Sequence, residues 1–148
     1  MIREGPHRKV TPMSSQTTVS IHPYFKPHEG QWDNFISGLQ PFVDATANEE
    51  AVLFYGFTIC EDTIFCREAY IGAEGALAHL DNVGALLGEA LKISDLLRLE
   101  VHGSAAELDK MREPLKDLPV QWFVLETGLK KCLPTKDSRL SIHRQRKP

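Results

Sequence analysis

The chain has 148 residues, 42% hydrophobic and 25% charged, which is the size and composition of one ordinary globular domain and excludes fibrous and low-complexity classes. The formal net charge of -3 is unevenly spread: residues 17–127 carry 7 Lys and Arg against 18 Asp and Glu, while the two ends carry ten basic residues and only Glu4 and Asp137. An acidic body of this kind is a poor platform for nucleic acid. Cys60, Cys66 and Cys132 have neither the even count of a disulfide framework nor C-x-x-C spacing, and no apolar run is long enough for a signal peptide or a membrane span. A cytoplasmic, reducing location is therefore expected, with no membrane partner.

In chain order, residues 1–16 lack periodicity and read as a disordered N-terminal tail. Residues 17–25 alternate around Val19 and Ile21 and are bounded by Pro23 and Pro27, the pattern of a strand that ends at a sheet edge. From Gln31, the apolar residues Trp32, Phe35, Ile36, Leu39, Phe42 and Val43 follow helical spacing, and Pro41 is expected to kink the last turns. Residues 51–60 and 63–70 are rich in β-branched and aromatic residues and are separated by Glu61-Asp62, which predicts a hairpin. In that register Cys60 lies opposite Thr63 and Cys66 opposite Phe57, too poorly placed for a disulfide between the two thiols.

Gly72 breaks the hairpin's second strand, and Leu77, Leu80, Gly84, Leu87 and Leu91 mark one face of a helix reaching about Lys92. A fourth strand, 96–102, alternates Leu97, Leu99 and Val101 against Arg98, Glu100 and His102. Ser104 and Glu107 have capping-box spacing and open a short helix that Pro114 stops. Residues 120–125 form a fifth strand that is apolar on both faces, and 128–148 read as a basic, flexible C-terminal tail.

The order β-α-β-β-α-β is that of an α+β, ferredoxin-like sandwich, with helices on one face of an antiparallel sheet and an extra C-terminal helix and strand. Residues 17–127 form the domain. Leu53 to Ile59 place apolar side chains on both faces of the second strand, so the open sheet face also needs a cover. A second copy of the chain, sheet against sheet, supplies it, and the fifth strand with Trp122 and Phe123 is expected to cross to or pack against that partner.

Two segments carry a family resemblance. The stretch FISGLQPFVDAT at 35–46 and the stretch REAYIGAEGALAHLDN at 67–82, with the strands between them, resemble the antibiotic biosynthesis monooxygenase family of dimeric α+β barrel proteins over about residues 19–102. The entry loop at 26–30 is longer than that family's, and Glu50-Ala51 stands where a glycine usually breaks the chain. The family's haem-degrading members use an Asn on the first strand with a Trp and a His on the second helix. Here the asparagines are Asn34, Asn48 and Asn82 and the tryptophans Trp32 and Trp122, so haem degradation does not carry over. The resemblance implies a homodimer and oxygenation of a small aromatic molecule or quinol with no cofactor.

No phosphate-cradling loop, nucleophile elbow or zinc-protease motif occurs. The six histidines include no i,i+3 or i,i+4 pair, so no metal site is expected. The remaining chemistry is that of a pocket between sheet and helices. His79, beside the apolar stripe of the second helix and at the family's Ala-His-Leu position, is the first candidate base, since an imidazole titrates near working pH and can take a phenolic proton. His22 is the second candidate catalytic residue, and Tyr24 shares its strand face. Tyr24, Tyr55, Phe57, Tyr70 and Asn82 are candidate substrate-binding residues. Glu68 stands at the position of the family's strand glutamate or, beside Arg67 and Arg98, is a structural ion pair, and Cys66 reads as a small buried hydrophobe. A non-catalytic binding or sensing protein and an isomerase on the same scaffold are the alternative functions.

Overall fold

The computed structural model describes residues 17–131; both predicted tails lie outside the described residues except for 128–131. The elements are β1 (Thr18–Pro27), α1 (Trp32–Ser37), α2 (Leu39–Thr46), β2 (Val52–Cys60), β3 (Thr63–Ile71), α3 (Gly72–Lys92), β4 (Ser94–Gly103), α4 (Ala105–Arg112) and β5 (Val120–Val124). They build one five-stranded sheet in the order β2-β3-β1-β4-β5, antiparallel except for the β4–β5 pair, and not closed into a barrel within the chain. This is the expected ferredoxin-like α+β arrangement with its C-terminal helix and strand.

Alternation decides which side each residue takes. Val19, Ile21, Tyr70 and Val101 point to the helix-covered face and are fully or almost fully buried with Ala73 and Ala76 of α3 and Leu108 and Met111 of α4. A second cluster, Phe25, Phe35 and Ile64, lies beneath α1. Burial of Leu108 and Met111 contributes about 1.5–3 kcal/mol each, which fixes α4 on the sheet although its exposed face is polar. Ser104 Oγ accepts from the Glu107 backbone N–H at 3.3 Å, as the capping spacing predicts. The Glu107 side chain does not turn back to Ser104. It accepts at 2.7 Å from the backbone N–H of Ala73, satisfying a free donor at the start of α3.

Several expectations are corrected. β1 is a central strand, flanked by β3 and β4, and not one that ends at an edge. At Pro23, which has no N–H to donate, β1–β3 pairing is interrupted between Ile21–Glu68 and Tyr24–Phe65 with the register kept, while the β4 side stays paired through Pro23–Leu99. The first helical segment divides at Gly38 into two helices, the interruption falling where Pro41 cannot donate to the Ser37 carbonyl four residues back, so that the proline sits in the first turn of α2. Leu97 does not belong to the buried face: the register slips between Tyr24–Arg98 and Phe25–Leu96, and Leu97 bulges out with 53% of its surface exposed.

The hairpin register holds, with Cys60 opposite Thr63 and Cys66 opposite Phe57, and Glu61 takes the positive φ of 52° that a two-residue turn requires. The fifth strand does not leave its own sheet. It pairs in parallel with β4, because α4 carries the chain back over the helix side in a βαβ crossover. Trp122 then packs against the core, with Arg112 over its ring at 4.9 Å, while Phe123 lies on the open face.

Candidate active site

A cavity of about 80 Å³ opens between the sheet and helices α1 to α3. Ile21, Phe25, Phe42, Phe57, Val83, Leu87, Leu99 and Val101 are among its apolar walls, and its titratable lining is Tyr55, Cys66, Glu68 and His79. These polar groups come from three elements. Tyr55 and Phe57 alternate along β2, Cys66 and Glu68 along β3, and His79 projects from the middle of α3, where helical spacing puts it on the same buried face as Ala76 and Val83.

His79 is 2% exposed and is clamped on both sides. Its Nδ1–H donates to Glu49, at 2.9 Å to Oε2 and 3.2 Å to Oε1. Glu49 is itself held by Asn82, whose amide donates to Glu49 Oε2 at 2.8 Å and to the Ala45 carbonyl at 3.0 Å. An acceptor on Nδ1 fixes the tautomer and leaves Nε2 with its lone pair. That nitrogen faces Glu68 Oε2 at 3.7 Å. The rings of Tyr70 and Tyr55 lie 4.8 and 5.1 Å from the imidazole.

Glu68 is the most perturbed carboxyl of the site. Burial, with 4% of its surface exposed, pushes its pKa up to about 8, against the opposing pull of the Cys66 thiol and the nearby Tyr70 hydroxyl. It therefore holds its proton at neutral pH. Burial lowers the His79 pKa, and the hydrogen bond to Glu49 offsets part of that shift, so the imidazole is neutral at the same pH. Cys66 Sγ–H donates to Glu68 at 3.2 Å, and burial together with the nearby Glu68 pushes that thiol up, away from nucleophilic chemistry. The hydroxyls of Tyr70 and Thr46 are buried without a strict hydrogen-bond partner among the described residues. Groups of this kind are open to a ligand oxygen or a water.

Of the predicted site residues, His79, Tyr55 and Phe57 line the cavity, while Tyr70 packs behind His79 in the core and Asn82 positions Glu49, neither of them lining it. His22 and Tyr24 are not with them. The pleat sends their side chains to the opposite, open face, where His22 Nε2 lies 2.8 Å from Ser20 Oγ and Tyr24 packs on Phe65. Glu68 is not an ion pair of Arg67 and Arg98. Arg67 lies over Phe54 on the other face, and Arg98 pairs with Glu100. Glu49 was missed because it sits in a loop whose sequence shows no period, and only the tertiary fold brings it to His79.

The most informative comparison is with MupZ of Pseudomonas fluorescens, 37% identical, whose crystal structure superposes with a TM-score of 0.73 over 77% of this chain and 94% of MupZ. The chain belongs to the MupZ family. A candidate antibiotic biosynthesis monooxygenase of Caulobacter crescentus, 16% identical, matches 58% of this chain and 88% of its own at a TM-score of 0.51. A conserved Bacteroides thetaiotaomicron protein, 15% identical, matches 60% and 98% at 0.55. This MupZ relative thus has the fold of the antibiotic biosynthesis monooxygenases, as the resemblance implies. No protein-family model matches the chain, and no curated protein sequence does. No helix among the described residues is long and apolar enough to cross a membrane.

Proposed function

We propose that this MupZ relative is an enzyme that moves a proton on a small, largely apolar molecule, and that the reaction is a cofactor-independent monooxygenation of an aromatic or quinol. The carrying observation is one buried imidazole, fixed by Glu49 at Nδ1 and turned by Nε2 toward the neutral carboxyl of Glu68, in an otherwise greasy cavity. His79 Nε2 takes a phenolic proton, and the apolar walls keep water from competing for it. Dioxygen accepts electrons from the resulting anion and bonds to a ring carbon. A proton from Glu68 completes the hydroperoxide, and loss of water leaves a carbonyl.

A second reading, isomerisation without oxygen, draws on the Glu68–His79 pair. An acid that keeps its proton beside an unprotonated base can deliver a proton at one atom while the base removes one at another. An oxygen electrode with a panel of hydroquinones and naphthols separates the two. The first reading expects substrate-dependent oxygen uptake that falls about 10²-fold or more in His79→Ala. Substrate turnover without oxygen uptake selects the second, and full activity in the variant removes His79 from the mechanism.

The open sheet face supports a homodimer as the working state. Tyr24, Phe54, Phe65 and Phe123 lie on it, with Phe54 51% exposed, and no element among the described residues covers them.

A further inference from the structure

The open face carries a second cluster that the proton-transfer site does not use. His22 and Glu100 are directly opposite each other in the β1–β4 ladder, and His102 follows Glu100 by two residues, so all three side chains rise from the same face of two paired strands. One ligand atom from each, two imidazole nitrogens and a carboxylate oxygen, lies within 4.8 Å of the others.

We propose that His22, Glu100 and His102 bind one divalent transition-metal ion of the zinc, nickel or iron(II) class per chain. Two imidazoles and one carboxylate are a donor set for such ions and a poor one for magnesium or calcium. The existing spacing is close to what the ion demands. His102 Nε2 and Glu100 Oε1 are 2.8 Å apart, and metal bonds of about 2.1 Å put neighbouring ligands roughly 3.0 Å apart at a right angle. The ion replaces the proton now shared between these two atoms, and His22 closes the third position by a small side-chain adjustment.

Each ligand also has a partner that holds its orientation, the usual sign of a supported metal site. Ser20 Oγ meets His22 Nε2 at 2.8 Å and steadies the ring. Arg98 Nε binds Glu100 Oε2, leaving Oε1 for the ion. Phe123 of β5 stacks on the His102 ring at 4.5 Å and 6°. Three protein ligands leave coordination positions open to water or to a second molecule. The cluster is complete within one chain and independent of the His79 cavity on the other face.

The test is titration of the chelator-stripped full chain with Zn²⁺ by calorimetry, with Mg²⁺ and Ca²⁺ as controls, followed by Co²⁺ absorption spectroscopy and histidine NMR of the wild-type protein. The expected result is one Zn²⁺ per chain with perturbed His22 and His102 imidazole signals and a cobalt spectrum without a thiolate charge-transfer band. Affinity should fall at least 100-fold in His22→Ala and His102→Ala, and about 10- to 100-fold in Ser20→Ala. Absence of stoichiometric binding, stoichiometry retained in both histidine variants, or a thiolate band implicating a cysteine overturns the proposal. The wild-type NMR and cobalt readouts decide the matter even if a variant fails to fold.

Discussion

Replacing Glu68 by glutamine tests the electrostatics of the cavity without emptying it, because the amide has nearly the shape of the protonated carboxyl. In the folded protein the Glu68 pKa is raised from its ordinary 4.5 to about 8 by burial. Between those two values the folded state keeps a proton that the unfolded chain has released. Stability from this group is therefore fully present below about pH 4.5 and is lost as pH rises toward 8. At about 1.4 kcal/mol per pH unit, the loss is about 3 kcal/mol by pH 7 and about 5 kcal/mol above pH 8. Glu68→Gln has no such loss. Urea denaturation of both proteins from pH 4 to 9 should show the variant gaining on the wild type by several kcal/mol across this range, whatever constant offset the amide introduces. All other titrating groups cancel in the difference. Parallel stability curves would refute the claim that Glu68 is buried as a neutral acid.

Two further outcomes follow from packing. Gly75 lies where α3 crosses the start of β2, and a Cβ there would stand 2.7 Å from the Ala51 Cβ, so Gly75→Ala should destabilise by about 1–3 kcal/mol in thermal or urea melts; unchanged stability would show that the helix can lift at no cost. Phe54→Glu on the open face should convert a dimer into a monomer by light scattering while leaving the circular dichroism spectrum unchanged, and a wild-type monomer would remove the dimer altogether.

Much of the fold was legible because period and punctuation agree. Alternation in β1 and in most of β4, the β-branched and aromatic content of β2 and β3, the Glu61-Asp62 turn, the capping serine at 104 and the apolar stripe of α3 each have a local physical cause, and each survives in the structure. The exceptions are positions where the structure goes further than a local rule or overrides it. Pro41 suggested a kink, and the chain is interrupted at Gly38, one turn before it, strongly enough to make two helices of one segment. Leu97 fits an apolar alternation that a bulge interrupts.

The site was only half legible for a similar reason. His79 could be placed from its helical position, but its partners Glu49 and Glu68 come from a loop and a strand, 30 and 11 residues earlier. Nothing in the local sequence says that Glu68 faces His79 and not Arg67. His22 was grouped with His79 on residue type, yet one step of strand alternation separates the two faces. The His22, Glu100 and His102 cluster escaped a search for helical metal spacing because strands bring residues i and i+2, and cross-strand pairs, to one face.

The most direct test of the proton-transfer account is the protonation state of His79, read by ¹⁵N NMR of the imidazole across pH 5 to 8. The account predicts a neutral ring with its proton on Nδ1, donated to Glu49, and an unprotonated Nε2 that persists below pH 6.5, since burial lowers the pKa from that ordinary value. In Glu49→Gln the fixed tautomer should give way to a mixture. A His79 that is doubly protonated at pH 7, or that carries its single proton on Nε2, would contradict the account, because no lone pair would then face the cavity to accept a proton from substrate.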